Sequence, residues 1–146
     1  MERGGVIGGS SAGATILGSY LARGNTTSNT VIMGDHEEGF GFISNIAIDQ
    51  HLLRCNRQFD LLEITSAKPE LLGIGLDEDT AIVVRNNRFE VIGNSYVVIY
   101  DNTRQIDSGG PFYFLEPGDQ YDFLKRQAYR PSRSLEPLER IVETGR

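Results

Sequence analysis

A serine set among glycines and alanines near the start of the chain is the residue best suited to covalent chemistry. Ser11 stands at the centre of Gly9-Ser10-Ser11-Ala12-Gly13, a G-x-S-x-G string inside the small-residue run Gly8 to Ala14. Such a string describes a nucleophile elbow, in which a strand end turns sharply into a helix and presents one hydroxyl at the tip. Gly9 and Gly13 tolerate the crowding, and Ala12 and Ala14 open the helix. The N–H of Ala12 would then lie at a helix N-terminus, where partial positive charge favours an oxyanion. Small-residue runs also form loops that bind phosphate or simply turn, so the string acquires meaning from its context.

A serine hydroxyl is a poor nucleophile near neutrality unless a base takes its proton, and histidine is the side chain that titrates closest to that range. The chain has two, His36 and His51. His51 follows the apolar Ile46, Ala47 and Ile48 and precedes an expected helix, which puts it at an element junction where a side chain can face a cleft. His36 lies in GDHEEGFGF, a polar loop bounded by glycines, so His51 is the better base. An orienting acid is available in the run Asp77-Glu78-Asp79, whose residue types alone do not choose among the three. Cys55 is a rival nucleophile one helical turn from His51, but as a nucleophile it would demand that histidine as base and an electropositive site, and it ranks well below Ser11. No C-x-x-C or H-x-x-x-H pair supports a metal site. Neither the dinucleotide fingerprint nor the Walker spacing is present.

Three segments occur in order: GGSSAGA at 8–14, IAIDQHLLRCNR at 46–57 and GIGLDEDTAIVV at 73–84. Together, from about Gly4 to about Ala128, they resemble the cyanophycinase and aspartyl-dipeptidase family, serine peptidases built on the class I glutamine amidotransferase fold. The resemblance implies that Ser11 is the nucleophile, His51 the base and Glu78 the acid that orients it, with no metal and no organic cofactor. It further implies a peptide substrate containing aspartate, in the extreme a β-linked aspartyl-arginine unit, held near Asp49, Gln50, Arg54 and Arg57. Asp49, Gln50 and Arg57 match the family pattern after the histidine, but Cys55 stands where an arginine is expected and Arg54 falls one residue early. On a helix that shift turns the side chain by about 100°. Arg54 and Arg57 can still clamp a carboxylate in bidentate fashion, or serve as ordinary ion-pair partners on an acidic surface. Acidic-peptide hydrolysis survives the departure better than cyanophycin cleavage does.

These side chains must be positioned by a small number of elements. A short strand is expected over Val6 to Gly8, a helix over Ala12 to Leu21 stopped by Gly24 and Asn25, and a polar loop over Asn25 to Gly41. The apolar spacing Leu52, Leu53, Phe59, Leu62 and Ile64 suggests a helix running from His51 and ending before Pro69. Strand-like runs follow at Gly73 to Leu76, Thr80 to Arg85, Arg88 to Ile92 and Tyr96 to Tyr100, with Asn86-Asn87 as a hairpin turn. Pro111 to Leu115 and Gln120 to Phe123 add strands or a strand and a turn. Tyr96, Tyr100, Phe112, Tyr113 and Phe114 read as sheet core. The expected fold is α/β: the C-terminal part of an amidotransferase-like, flavodoxin-like three-layer domain with an additional strand-rich region. It would span residues 1–129, with a loose tail over 130–146.

In the resembling family about half of the domain precedes the nucleophile strand, including the loop that donates the second oxyanion N–H. Here five residues precede Val6. The expectation is therefore a missing N-terminal half or a homo-oligomer that covers the apolar strand edge, and a non-catalytic fragment or binding subunit is the alternative function. With 146 residues, 39% of them apolar, one domain with a real core is affordable. The net charge of −6 argues against nucleic acid or an anionic membrane surface as partner. A single cysteine excludes an internal disulfide and suits a reducing, cytoplasmic setting.

Overall fold

A computed structural model describes residues 3–24, 30–31, 35–104, 110 and 112–131. After helix α1 (Ala12–Thr15) come strand β1 (Ile46–Gln50), helix α2 (Asp60–Ala67) and strand β2 (Leu72–Leu76). Strands β3 (Thr80–Arg85), β4 (Arg88–Gly93), β5 (Val97–Asp101), β6 (Tyr113–Leu115), β7 (Gln120–Asp122) and β8 (Gln127–Tyr129) follow. They form two four-stranded sheets, ordered β1-β2-β5-β6 and β3-β4-β7-β8. β1 and β2 are parallel, with Ile46 opposite Leu72 and Gln50 opposite Leu76, and α2 makes the crossover that such a pair requires. The other pairings are antiparallel.

The first sheet is buried on both faces, as its nearly unbroken apolar strands demand. Ile46, Ile48, Ile74, Val97 and Ile99 share one core with Phe89, Val91 and Tyr121 of the second sheet and with Ala14 of α1. Ala47, Val98 and Tyr100 point the other way, into a second core with Leu61 and Ile64 of α2, Leu52 and Tyr20. The molecule is thus a mixed α/β structure of two sheets and few helices, with the antiparallel sheet, rather than helices, covering one face of the first.

The first third of the chain differs most from expectation. Val6 to Gly8 forms no strand; Val6 is 99% and Ile7 42% exposed. The helix expected over 12–21 ends at Thr15. Gly18 is the physical reason: its backbone runs so close to β1 that a Cβ there would stand 2.8 Å from the Ile46 carbonyl oxygen. Ser19 and Tyr20 both donate backbone N–H groups to that carbonyl, and Tyr20 bridges to Ala47 in parallel and to Glu38. Satisfaction of the β1 edge has overridden helical continuation. Similarly, the helix expected from His51 begins only at Asp60, after turns over 51–56, and it does stop before Pro69. Asn86, with φ 54°, takes the positive dihedral of the β3–β4 hairpin turn. Of the expected 25–41 loop, residues 25–29 and 32–34 lie outside the described residues, as do 132–146 of the expected tail. Arg130 is anchored, donating from Nε and Nη2 to the two carboxylate oxygens of Asp119. Tyr100 is fully buried, whereas Tyr96 and Phe114 remain about two-fifths exposed and meet edge to face.

Candidate active site

Because β1 and β2 run parallel, the residues just beyond them emerge at the same edge of the sheet. His51 follows β1, and Asp77 and Glu78 follow β2. The Leu52 amide donates to the Leu76 carbonyl, which ties the two strand exits together. Ser11 arrives at this edge from the turn before α1, with φ 53° and ψ −127°. Positive φ on a serine is sterically costly and must be held by its surroundings. The holding device is local: the Gly13 amide donates to the Ser10 carbonyl, and Gly9 lies so close to Gly13 that no Cβ fits between them. Ala12 opens α1, so its N–H has no carbonyl one turn back within the helix.

These placements bring three side chains into one row. Ser11 Oγ lies 3.0 Å from His51 Nε2, and His51 Nδ1 is hydrogen-bonded to Glu78 Oε1. If the Ser11 hydroxyl donates to Nε2, the imidazole carries its proton on Nδ1 and donates it to Glu78. The row is open to solvent, the His51 and Glu78 side chains being 37% and 48% exposed. His36 stands apart from it, beside Asp35, and Asp79 contributes a backbone carbonyl that accepts from the Asn94 amide.

The residues around His51 divide into two groups. Asp49 is buried; its Oδ1 accepts from the Gln50 amide and lies 3.6 Å from Arg57 Nη1, which also donates to the Gln50 carbonyl. Burial raises the Asp49 carboxyl above its ordinary range, against the lowering influence of the Gln50 amide and the Arg57 guanidinium. Asp49 Oδ2 and Gln50 Oε1 are buried with no hydrogen-bond partner among the described residues. Arg54 and Cys55 are exposed on the turn after His51 and lie outside this cluster. Among the described residues, no three His, Cys, Asp or Glu side chains gather as a metal-binding group.

Two features escaped the sequence. Arg23 pairs with Asp60 at the start of α2, a link across 37 residues that no spacing rule could expose. Asp77 is the second: its Oδ1 accepts from the Leu53 amide and its Oδ2 from Ser95 Oγ, at 3.0 and 2.6 Å. Burial pushes this carboxyl up, but the Ser95 hydroxyl and the Leu53, Glu78 and Arg54 amides outweigh it and hold the group below the ordinary carboxylate range.

The family model for peptidase family S51 matches residues 1–92 of this chain. The chain belongs to that family. Among curated relatives, the cyanophycinase of Geminocystis herdmanii is 39% identical over 88% of this chain and 53% of its own length. That of Trichormus variabilis is 35% identical over 72% of this chain and 36% of its own. The chain therefore spans about half or less of the length of the curated relatives it matches. A solved structure of a peptidase from an acI-B1 Actinobacterium superposes with a TM-score of 0.50 at 28% identity, over 77% of this chain and 43% of that one.

Proposed function

We propose that this chain carries the catalytic triad of a cyanophycinase-like serine peptidase that cleaves aspartyl peptide bonds through an acyl-enzyme. The observation that carries the reading is the row Ser11–His51–Glu78, with Ser11 on a positive-φ turn at a helix start. Ser11 Oγ attacks the substrate amide carbonyl while His51 Nε2 takes its proton, and the Ala12 N–H stabilises the oxyanion. His51 returns the proton to the leaving amine, and Glu78 holds the imidazole in the tautomer this requires. Water, deprotonated by His51, then releases the acyl group as a carboxylic acid.

The substrate side is read from Asp49, Gln50 and Arg57, next to His51. Arg57, partly exposed and backed by the buried Asp49 carboxylate, offers a guanidinium to a substrate carboxylate, as an aspartyl peptide would present. Arg54, on the exposed turn, would reach only an extended peptide. Domain organisation follows the same line: residues 1–129 belong to the C-terminal part of an amidotransferase-like three-layer domain. Further chain or a second copy completes the site by supplying the other oxyanion donor and covering Val6 and Ile7. The relatives' greater length and the exposure of those two residues and of the triad support this.

The test is labelling by a serine-directed fluorophosphonate with parallel assays on β-aspartyl-arginine and α-aspartyl dipeptides. Ser11→Ala should abolish labelling, because removal of a triad nucleophile costs orders of magnitude in rate. Labelling that persists in Ser11→Ala and disappears in Cys55→Ala would transfer the chemistry to the thiol. A chain that neither labels nor hydrolyses, alone or with a completing segment, would be a binding or structural subunit instead.

A further inference from the structure

We infer that Asp77 is a positioning residue that fixes the distance between the base and its orienting acid, a role that rests on the triad reading above. Asp77 immediately precedes Glu78, and its Oδ1 holds the amide of Leu53, two residues beyond His51. One carboxylate therefore clasps the segment that carries the base onto the segment that carries the acid. Its other oxygen is fixed by the Ser95 hydroxyl at 2.6 Å. Ser95 is fixed in turn, because its amide donates to Thr80 Oγ1, and that hydroxyl donates to the Glu78 carbonyl. The backbone of Asp77 is pinned as well, its amide donating to the Tyr96 carbonyl. The network closes a ring of Asp77, Ser95, Thr80 and Glu78, to which the Leu53 amide ties the segment that follows His51.

This ring answers a need that the strands leave open. The ladder between β1 and β2 ends at Gln50 and Leu76, before either functional residue, and only the Leu52 amide to Leu76 carbonyl bond extends it. His51 and Glu78 sit on turns, both substantially exposed, where an ion pair in water contributes little to its own geometry. Hydrogen bonds from a backbone amide and a hydroxyl to a fixed carboxyl side chain are directional, so they can set what the exposed pair cannot. Asp77 touches neither Ser11 nor a reacting atom; it acts through the backbone on either side.

The experiment measures the maximal rate of fluorophosphonate labelling, and the reagent concentration giving half of it, for the full chain and four variants, with thermal melting of each. Asp77→Ala should lower the maximal rate about 10²-fold, the order expected of a misplacement near 1 Å, with little change in the half-saturating concentration. Asp77→Asn should recover most of the rate, since its carbonyl can accept from the Leu53 amide and its NH2 can donate to Ser95 Oγ. Ser95→Ala, which leaves the Leu53 bond in place, should show a smaller loss in the same parameter even if Asp77→Ala fails to fold. A parental rate in Asp77→Ala or Ser95→Ala would overturn the inference. So would an Asp77→Asn variant as slow as Asp77→Ala, which would assign the effect to charge rather than position. Ser11→Ala separates the two levels: if labelling does not depend on Ser11, the triad itself falls, whereas Ser11-dependent labelling indifferent to Asp77 removes Asp77 alone.

Discussion

Gly9→Ala is the sharpest test of the elbow, because the structure states how far the backbone must move. A Cβ on Gly9 would stand 2.1 Å from the Gly13 carbonyl oxygen, 2.4 Å from its carbon and 2.9 Å from the Ala14 nitrogen. All three are backbone atoms of the turn into α1, so no side chain can swing aside. Opening the closest contact to 3.0 Å, the shortest that real Cβ atoms tolerate, requires about 0.9 Å of displacement. Ser11 lies between the two glycines and takes up that movement directly. Its Oγ, now 3.0 Å from His51 Nε2, would sit at most about 3.9 Å away, outside hydrogen-bond range where the shift runs along that line. A displacement near 1 Å typically costs about 10²-fold in rate, close to 3 kcal/mol in the barrier. Gly8→Ala is the matched control, since its Cβ would meet nothing within 4 Å. Fluorophosphonate labelling should therefore slow about 10²-fold in Gly9→Ala and stay near the parental rate in Gly8→Ala. Equal labelling of all three chains would refute the close approach, and with it the strained presentation of Ser11.

Two further outcomes are expected. Asp49 has a native carboxyl raised above its unfolded value of 3.8, so between those limits the folded chain binds more protons than the unfolded one, and stability declines as pH rises through the window. Asp49→Asn should melt higher than the parent at neutral pH, with the difference closing as pH falls through the native value; a difference that is negative or independent of pH would contradict the burial argument. Val6 and Ile7 should drive self-association of the isolated chain, so replacing both with serine should lower the mass seen by light scattering at a fixed concentration, and an unchanged monomer in both cases would leave their exposure without consequence.

The strands from Gly73 to Tyr100 are legible in the sequence because each is short, largely apolar and bounded by turn residues, and Asn86 and Asn87 mark a hairpin that β3 and β4 form, whereas β8, Gln127–Tyr129, has too little apolar pattern to announce itself and is not among the expected strands. Ser11, His51 and Glu78 stand in one hydrogen-bonded row; the residues alone single out Ser11 and His51, whereas only the family resemblance chooses Glu78 over Asp77 and Asp79. The failures have long-range causes. Ala12 to Leu21 has helical composition, but the helix yields at Thr15 because the β1 edge needs the amides of Ser19 and Tyr20. Leu52 and Leu53 fit a helical period, yet Leu52 is committed to a core with Leu61, Ile64 and Tyr100 while its amide caps β2. Arg23–Asp60 and Asp77–Ser95 join residues 37 and 18 apart, and nothing in the local pattern of either segment records such a partner.

The site is concentrated where local preference is weakest. Ser11, His51 and Asp79 all carry positive φ, at 53°, 56° and 52°, although none is glycine. Each such residue costs on the order of 1–3 kcal/mol and persists only when its surroundings over-determine it. Every one of the three has an identifiable restraint: the Gly9–Gly13 approach and the Gly13 to Ser10 hydrogen bond for Ser11, the Leu52 to Leu76 bond for His51, and the Asn94 to Asp79 bond for the turn after Glu78. Only the His51 restraint leads to the β1–β2 pair, whose Ile48 and Ile74 are almost wholly buried; the Ser11 restraint is local to the elbow, and the Asp79 restraint joins the ends of β3 and β4. The cost of the His51 turn is thus borne by the two-sided core around β1 and β2, and that of the Ser11 turn by the close packing of the elbow itself. That arrangement explains why the helical pattern fails over residues 51–59: a turn held by bonds to a neighbouring strand carries no folding signal of its own.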